Sequence, residues 1–334
     1  MAPLTLVGAY GSPYSRKMRA VLRFRRLPFR WIVRGSEDDV GIPPVPVSLI
    51  PVLVLPGNEA MIDSTFQIRR LEALHRERSI IPPEPALAFL DALVEDYADE
   101  WLTKPMFHYR WSYAPDIARA SRVLPLDASA AAHASTAEAF ARRQIGRLAV
   151  VGSNPTTAPV IEASYRRVLG LLDARLAATP FLFGRRPASA DFGLFGQLSQ
   201  LTQFDPTPAA IAADLAPRTI AWVNRMEDLA SLDVDESGWA DRDAVATGLR
   251  PLLAEIGRTY APFLVANAAA LAAGAAEVAC EIDGARWVQK PFPYQGKCLR
   301  WLREAHAALT PRDRQWVDDA LAGSGCERLL EERP

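Results

Sequence analysis

A chain of 334 residues with 49% hydrophobic and 23% charged side chains can bury a large core and holds two or three modules. Its 38 basic and 39 acidic side chains nearly cancel, which argues against nucleic acid or an anionic membrane as a partner. The 3 cysteines are odd in number and confined to residues 280–326, which argues against a disulfide framework and predicts a reducing compartment, the cytoplasm.

The first predicted elements are a strand, a tight turn and a helix. The apolar run from Leu4 to Ala9 predicts a strand, and the basic amphipathic stretch after Gly11 predicts a helix that ends near Arg26. Ser12 suits the N-cap and Pro13 the first helical position, because proline lacks the N–H that would be unpaired there. The first-turn N–H groups of such a helix favour a bound anion. If the anion is a thiolate, the Ser12 hydroxyl can donate one more hydrogen bond to the sulfur.

Three further strands are predicted, at residues 29–33, 50–55 and 59–62. Pro51 stands at the start of an apolar run, where it cannot donate to the sheet, so an edge or entry position is expected. A cis peptide bond there would expose backbone to a ligand. Asp63 and Ser64 then cap a helix that runs to about Arg76. The order β-α-β-loop-β-β-α allows two helix N-termini to face one edge of the sheet.

Past residue 80 the sequence pattern changes from alternating strands and helices to helices alone. The proline-rich segment 82–85 predicts a linker, because its prolines disfavour a helix across it. Predicted helices cover residues 86–107, 130–150, 159–178, 191–203 and 220–229. We therefore expect an N-terminal α/β domain over residues 1–80 and an all-helical domain over residues 86–235.

Residues 236–334 form a predicted C-terminal extension of mixed α+β character. An Ala-rich helix is expected from Arg242 to about Gly274, as a packed helix and not a membrane span. Two strands, 278–282 and 285–289, flank Asp283-Gly284, the strongest hairpin signal in the chain. Two short helices follow, at 295–309 and 312–321. We expect the extension to be a structural cap over the helical domain, with a wall of a substrate pocket or dimer cleft as the alternative.

Three local matches make residues 4–78 resemble the thioredoxin-like N-terminal domain of the soluble glutathione S-transferases. The segment from Ser12 to Arg19 is similar to the one that holds the family's catalytic Ser, or Cys in omega-like members, at its first position. The segment from Ile50 to Val52 looks like the family's cis-proline segment, whose first residue pairs by backbone with the cysteinyl part of glutathione. Asp63 and Ser64 look like the acidic residue and serine that hold the γ-glutamyl group.

A fourth match, over residues 184–192, resembles the helix-capping segment of the family's all-helical C-terminal domain. Ala188 stands where the family usually has Ser or Thr, so only Asp191 remains of that capping pair. We expect a weaker cap that Ser189 partly takes over. The C-terminal extension resembles that of certain bacterial transferase-like proteins.

The resemblance implies a detoxifying glutathione S-transferase that activates glutathione as a thiolate for attack on a small hydrophobic electrophile. A free thiol has a pKa of about 8.5, which a helix N-terminus can lower to about 7 or below. Ser12 is the expected donor to the sulfur, and Tyr10 is the alternative because some transferase classes use a tyrosine near this strand end. The expected glutathione-binding residues are Ser12, Ile50, Pro51, Asp63 and Ser64. The hydrophobic pocket is expected to be lined by Tyr14, Trp101, Phe107, Tyr109 and Trp111.

The resemblance also implies a homodimer. The balanced charge predicts no nucleic-acid or membrane partner, and the residue pattern predicts no metal. No Cys-x-x-Cys pair or histidine cluster is present in the sequence. A glutaredoxin-like function is disfavoured, because disulfide exchange needs a thiolate nucleophile and no cysteine precedes Cys280. A non-catalytic glutathione-fold carrier or interaction protein stays open, as does a glutathione-dependent lyase, isomerase or dehalogenase, because one fold hosts many chemistries.

Overall fold

A computed structural model describes residues 3–128 and 134–331 of the chain. The N-terminal elements are β1 (Leu4–Gly8), α1 (Pro13–Phe24), β2 (Phe29–Val33), β3 (Val52–Leu55), β4 (Glu59–Met61) and α2 (Ser64–Leu74). The four strands form one sheet in the order β2-β1-β3-β4. β1 runs parallel to β2 and antiparallel to β3, which pairs antiparallel with β4. The four predicted strands are therefore confirmed.

The two faces of this sheet bury different sets of side chains, as the two-residue period of a strand requires. Leu6 and Leu53 point into the main core with Met18 of α1. Val7 and Val52 point the other way, into a smaller cluster that the loop before β3 covers. With both faces covered, the sheet is a buried platform whose edge carries the starts of α1 and α2.

The helical part has more helices than the sequence predicted. Its helices are α3 (Pro85–Glu100), α4 (Thr103–Ser112), α5 (Ala114–Ala128), α6 (Ala134–Ile145), α7 (Ala158–Ala178), α8 (Ser189–Leu201), α9 (Pro206–Leu215) and α10 (Pro217–Met226). The single helix predicted over 86–107 is wrong. Pro105 cannot donate to the carbonyl of Trp101 and its ring crowds that carbonyl, so the helix breaks into α3 and α4. The sequence analysis did not predict α5 and α9, and the first residues of the helix predicted over 130–150 lie outside the described residues.

The C-terminal extension is mixed α+β, as predicted. It contains α11 (Arg242–Ala272), β5 (Val278–Ile282), β6 (Ala285–Gln289), α12 (Pro293–Ala307) and α13 (Pro311–Leu321). The predicted hairpin is confirmed, with Asp283 and Gly284 at φ of 54° and 73° in a two-residue turn that needs two positive φ values. In the part of the chain that the structure describes, no helix has the length and apolar character needed to cross a membrane.

One continuous core joins the sheet, the helical part and the extension. α8 packs against both α1 and α3, and Gly196 permits the close approach, since a Cβ there would lie 2.7 Å from the Pro13 carbonyl oxygen. Trp287, Leu299 and Val317 of the extension belong to the same core. The predicted fold class is confirmed: a thioredoxin-like α/β domain, a helical domain and an α+β extension. Because the core runs through all three, the domain boundaries at residues 80–86 and 235 stay predictions.

Candidate functional site

The turn after β1 starts α1 at Ser12, as the sequence predicts. The Ser12 Oγ accepts a hydrogen bond from the Ser15 N–H at 3.3 Å, and Pro13 is the first helical residue. The Arg16 N–H donates to the Ser12 carbonyl oxygen at 3.0 Å. Within residues 3–128 and 134–331, the Tyr14 N–H and the Ser12 hydroxyl proton have no acceptor. The start of α1 therefore offers one amide and one hydroxyl donor to an anion.

The helical part holds the carbonyl groups that precede Ser12. Arg110 Nη1 donates to the Gly11 carbonyl oxygen at 2.8 Å, and Gln200 Nε2 donates to the Tyr10 carbonyl oxygen at 3.3 Å. Arg110 also pairs with the fully buried Asp205, through Nε at 2.9 Å and Nη2 at 2.8 Å. No local pattern in the sequence marks these contacts, because Arg110 lies 99 positions from Gly11.

An apolar cluster lies beside the Ser12 turn. α5 brings Leu124 so close to Gly11 that a Cβ at that glycine would overlap the leucine side chain. Leu124 packs in a cluster that α4, α5 and α6 share with Phe204, around Trp111 and Phe140. Phe107 and Leu124 are half-buried, so this cluster keeps some exposed apolar surface near the turn. The sequence analysis did not identify Leu124 as a site residue, because it did not predict α5.

Three of the five aromatic residues predicted to line a hydrophobic pocket lie instead in packed cores. Trp101 is fully buried, with its ring centroid 5.3 Å from that of Trp287. Tyr109 is buried and stacks on Tyr113 at 5.4 Å. Trp111 is 2% exposed and packs inside the apolar cluster. These three side chains therefore have almost no exposed surface, and their role as pocket lining stays a prediction.

Tyr14 and Tyr10 are placed differently from each other. The Tyr14 hydroxyl donates to the Asp99 carbonyl oxygen at 2.8 Å, and burial raises the pKa of this phenol well above its ordinary value. Tyr14 therefore links α1 to α3 as a neutral donor. Tyr10 is 40% exposed, and its ring packs 5.5 Å from Trp31, with the Arg19 guanidinium 4.9 Å from the ring centroid.

The segment before β3 leaves a backbone position open. The Ile50–Pro51 peptide bond is cis, as expected. Gln67 Nε2 of α2 donates to the carbonyl oxygens of Pro51 and Met61, both at 2.9 Å, which fixes this segment against α2. No described residue pairs with the backbone N–H or carbonyl group of Ile50. Ile50 can therefore pair by backbone with a ligand.

The start of α2 is capped by Asp63, as predicted. Asp63 Oδ1 accepts hydrogen bonds from the Thr65 and Phe66 N–H groups at 3.1 and 3.5 Å. Ser64 is buried, and its Oγ lies 3.4 Å from Lys17 Nζ of α1. Together with the contacts of Gln67, this brings the starts of α1, α2 and β3 to one edge of the sheet.

Lys17 is the buried cation under this edge. Its Nζ lies 2.6 Å from Glu95 Oε1 and 2.6 Å from Asp99 Oδ2 of α3. Burial alone would lower the pKa of Lys17, but the two carboxylates raise it above its ordinary value, so the lysine is charged. Burial raises the pKa of Asp99 to about 6, and raises the pKa of Glu100 to about 8. This face of α3 therefore carries more carboxyl groups than the one lysine can neutralise.

The start of α8 corrects one expectation. The Asp191 carboxylate accepts from the Ala188 and Leu182 N–H groups at 2.9 and 3.0 Å, so it caps the helix without a hydroxyl partner. Ser189 does not take over the cap, because its hydroxyl faces the Asp91 carboxylate at 2.6 Å. Ser189 thus joins α8 to the acidic face of α3.

Comparison with known families agrees with this architecture. Residues 6–79 match the family model described as glutathione S-transferase, N-terminal domain. The sheet topology and the capped starts of α1 and α2 agree with this match, which covers the N-terminal α/β domain and not the rest of the chain. No protein in a search of curated sequences matches it.

Solved structures of similar shape are distant in sequence. A glutathione S-transferase of Methylobacterium radiotolerans, in complex with glutathione sulfonate, is 19% identical at a TM-score of 0.39, covering 70% of this chain and 99% of that chain. A Tau-class glutathione S-transferase from mango, Mangifera indica, is 18% identical at a TM-score of 0.42, with coverage of 74% and 96%. A glutathione S-transferase-like protein of Pseudomonas syringae is 18% identical at a TM-score of 0.44, covering 72% and 82%.

The described residues hold no group of three or more His, Cys, Asp or Glu side chains placed to bind a metal ion. Cys280, Cys298 and Cys326 are free thiols. Burial raises the pKa of Cys280 to about 11 and the pKa of Cys326 to about 12, so neither thiol is ionised near neutral pH.

Proposed function

We propose that this protein binds glutathione and stabilises its thiolate at the start of α1, for attack on a small hydrophobic electrophile. The observation that carries the proposal is the Ser12 turn, which keeps a hydroxyl proton and the Tyr14 amide without acceptors among the described residues. Both donors sit at a helix N-terminus, where the dipole favours an anion. A thiolate bound there would satisfy both.

The remaining glutathione contacts follow from the same edge of the sheet. Ile50 has an unpaired backbone N–H and carbonyl group among the described residues, which suits the cysteinyl part of glutathione. Ser64 and the Asp63 carboxylate suit the γ-glutamyl carboxylate and ammonium. Ser12 is the proposed catalytic donor, with Tyr10 as the alternative. Arg110 acts through the Gly11 carbonyl group and is a positioning residue.

The electrophile is proposed to approach over the exposed surface of the apolar cluster. Phe107 and Leu124 are half-buried there, and Leu124 lies against Gly11 beside the proposed thiolate site. Tyr14 adds its ring but not its hydroxyl, which is committed to α3. A small apolar substrate fits this chemistry better than a charged one.

The test is the ultraviolet absorbance of the bound glutathione thiolate against pH. Ser12→Ala should raise the pKa of the bound thiol and keep glutathione affinity nearly intact, because it removes one donor and little contact area. Tyr10→Phe is the matched control, since it also removes a single hydroxyl near the turn. If only Tyr10→Phe moves the titration, the catalytic role passes to Tyr10.

A non-catalytic glutathione carrier is the second candidate function. The burial of Trp101, Tyr109 and Trp111 favours it, because it leaves less aromatic surface for an electrophile than the sequence predicted. A carrier would bind glutathione without lowering the pKa of its thiol. In the same titration, a bound thiol with the pKa of the free tripeptide would therefore support the carrier.

A homodimer in the cytoplasm is proposed from the family resemblance. Two-fold interfaces are self-complementary, so a dimer forms from one surface patch. Sedimentation at micromolar concentration should then give about twice the chain mass of 36.7 kDa. A clean monomer at that concentration would contradict the proposal.

A further inference from the structure

The C-terminal extension reaches the proposed γ-glutamyl end of the glutathione site. The hydroxyl of Tyr294, at the start of α12, donates to Asp63 Oδ2 at 2.5 Å. The contact is supported by a chain of rings, since Tyr294 packs on Trp301 at 5.8 Å and Trp301 on Phe66 of α2 at 5.1 Å. Only a small cavity of about 40 Å³ remains where α12 closes over α2 and α3. The extension is therefore docked firmly on this end of the sheet edge.

The two oxygens of the Asp63 carboxylate have separate partners. Oδ1 is committed to the first turn of α2, and Oδ2 faces Tyr294. Burial, and then the charge of Asp63, raise the pKa of Tyr294 well above its ordinary value, so the phenol remains a donor. An ionised carboxylate oxygen can accept more than one hydrogen bond. Oδ2 is thus fixed in direction and still able to accept a second donor.

The surroundings of Asp63 favour a cationic second donor. Lys17 is already shared between Glu95 and Asp99. The other oxygen of Asp99, Oδ1, is buried and has no partner among the described residues. The three donors of Lys17 Nζ are taken by Glu95, Asp99 and Ser64, so the lysine has none left for Asp63, whose carboxylate can attract an ammonium group from a ligand.

We propose that Tyr294 is a positioning residue through which the extension completes the site: it orients the Asp63 carboxylate toward the free ammonium of the γ-glutamyl group. This rests on the proposed function, and it adds a source of specificity. Thiols that carry a free α-ammonium at the γ-glutamyl end are selected over thiols that lack it. The extension is then part of the binding site as well as a cap.

The experiment compares two tyrosine variants of the full chain by titration calorimetry. Tyr294→Phe removes the hydroxyl that faces Asp63. Tyr260→Phe is the matched control, because Tyr260 of α11 also donates to a carboxylate, Asp96 Oδ2 at 2.7 Å, and makes no hydrogen bond to Asp63. The two ligands are glutathione and its deaminated analogue, glutaryl-cysteinyl-glycine, which lacks only the ammonium.

Tyr294→Phe should weaken glutathione binding about tenfold, in line with a hydrogen bond to a charged group. It should leave the weaker binding of the deaminated analogue unchanged, and Tyr260→Phe should change neither affinity. A loss that is equal for both ligands would show a merely structural role and overturn the inference. Unchanged or tighter glutathione binding by Tyr294→Phe would overturn it as well.

If the wild-type protein binds neither ligand, the proposed function is wrong, and the inference that rests on it is wrong as well. If the wild-type protein binds glutathione and Tyr294→Phe binds it equally well, only the inference is lost.

Discussion

The two ends of the candidate site are built in opposite ways. At the Ser12 end, the backbone before the turn is held by Arg110 and Gln200, while the Ser12 hydroxyl proton has no acceptor among the described residues. At the Asp63 end, both carboxylate oxygens and the Ser64 hydroxyl already have partners. The difference separates two tasks. A group that must stabilise a forming anion keeps a free donor, whereas a group that must recognise a ligand is held rigidly in one orientation.

The largest expected effect comes from removing the cation under the Asp63 end. Lys17→Met leaves the buried Glu95 and Asp99 carboxylates without their partner. Breaking a buried ion pair from one side typically costs about 3–5 kcal/mol of unfolding free energy. Because burial raises the pKa of Asp99 to about 6, that residue can protonate, so the loss should shrink near pH 5. Urea unfolding at pH 5 and pH 7.5 measures the loss of unfolding free energy at each pH. An equal loss at the two pH values would contradict the account.

Removing the buried cation at the Ser12 end should change both the unfolding free energy and the pKa of the bound thiol. Arg110→Leu leaves the fully buried Asp205 unpaired and releases the Gly11 carbonyl group. We expect a loss of about 3 kcal/mol. Any bound glutathione should also show a raised thiol pKa, because the Ser12 turn is no longer fixed. Arg218→Ala is the control, since Arg218 is 60% exposed in its pair with Asp173 and should cost less than about 1 kcal/mol.

The acidic face of α3 should make stability fall as pH rises. Burial raises the pKa of Glu100 to about 8, and Gln295 of the extension donates to its Oε2 at 3.0 Å. A carboxyl group with a raised folded-state pKa binds a proton more tightly when folded, so its contribution is present at low pH and is lost as pH rises toward 8. The unfolding free energy of Glu100→Gln, relative to that of the wild type, should therefore rise by roughly 2 kcal/mol between pH 5 and pH 7.

Thermal and urea unfolding across that range check the sign. If the unfolding free energy of Glu100→Gln, relative to that of the wild type, does not rise from pH 5 to pH 7, the account is contradicted. The window ends at pH 7 because burial lowers the pKa of Lys104 to about 7, and its titration acts in the opposite direction above that pH.

A substitution of Ser12 itself should have the smallest effect on stability, and it should give the protein a new reaction. Ser12→Cys puts a sulfur at a helix N-terminus, where the pKa of a thiol is lowered. The thiolate should attack oxidised glutathione and form a mixed disulfide, with one glutathione thiolate as the leaving group. Mass spectrometry then detects one added glutathione, and unfolding free energy should change by less than about 1 kcal/mol. The wild-type protein, whose thiols are buried or of raised pKa, is the control.

Local patterns sufficed to predict the ends of several elements. Ser12-Pro13 fixes the start of α1, and Asp283-Gly284 fixes the hairpin, because caps and two-residue turns depend on a few neighbouring residues. The same holds for Asp63 at the start of α2. The family match over residues 6–79 extends this local agreement to the N-terminal domain.

Long-range contacts account for what the sequence did not predict. Arg110 meets Gly11 from 99 positions away, and Tyr294 meets Asp63 from 231 positions away. No helical or strand period relates such residues, since each contact depends on how whole elements pack. The burial of Trp101 depends in the same way on Trp287 of the extension. Aromatic residues on a helix therefore do not reveal from sequence which of them face a pocket.

The distance along the chain between Asp63 and Tyr294 has a consequence for synthesis. At about 5–20 residues per second, the 231 residues that separate them take roughly 10–50 s to translate. During that interval α12 is not yet made, so the hydroxyl that faces Asp63 in the finished chain is missing. A nascent chain therefore lacks this part of its recognition end until α12 emerges, and interruption of translation within α11 releases a product without Tyr294.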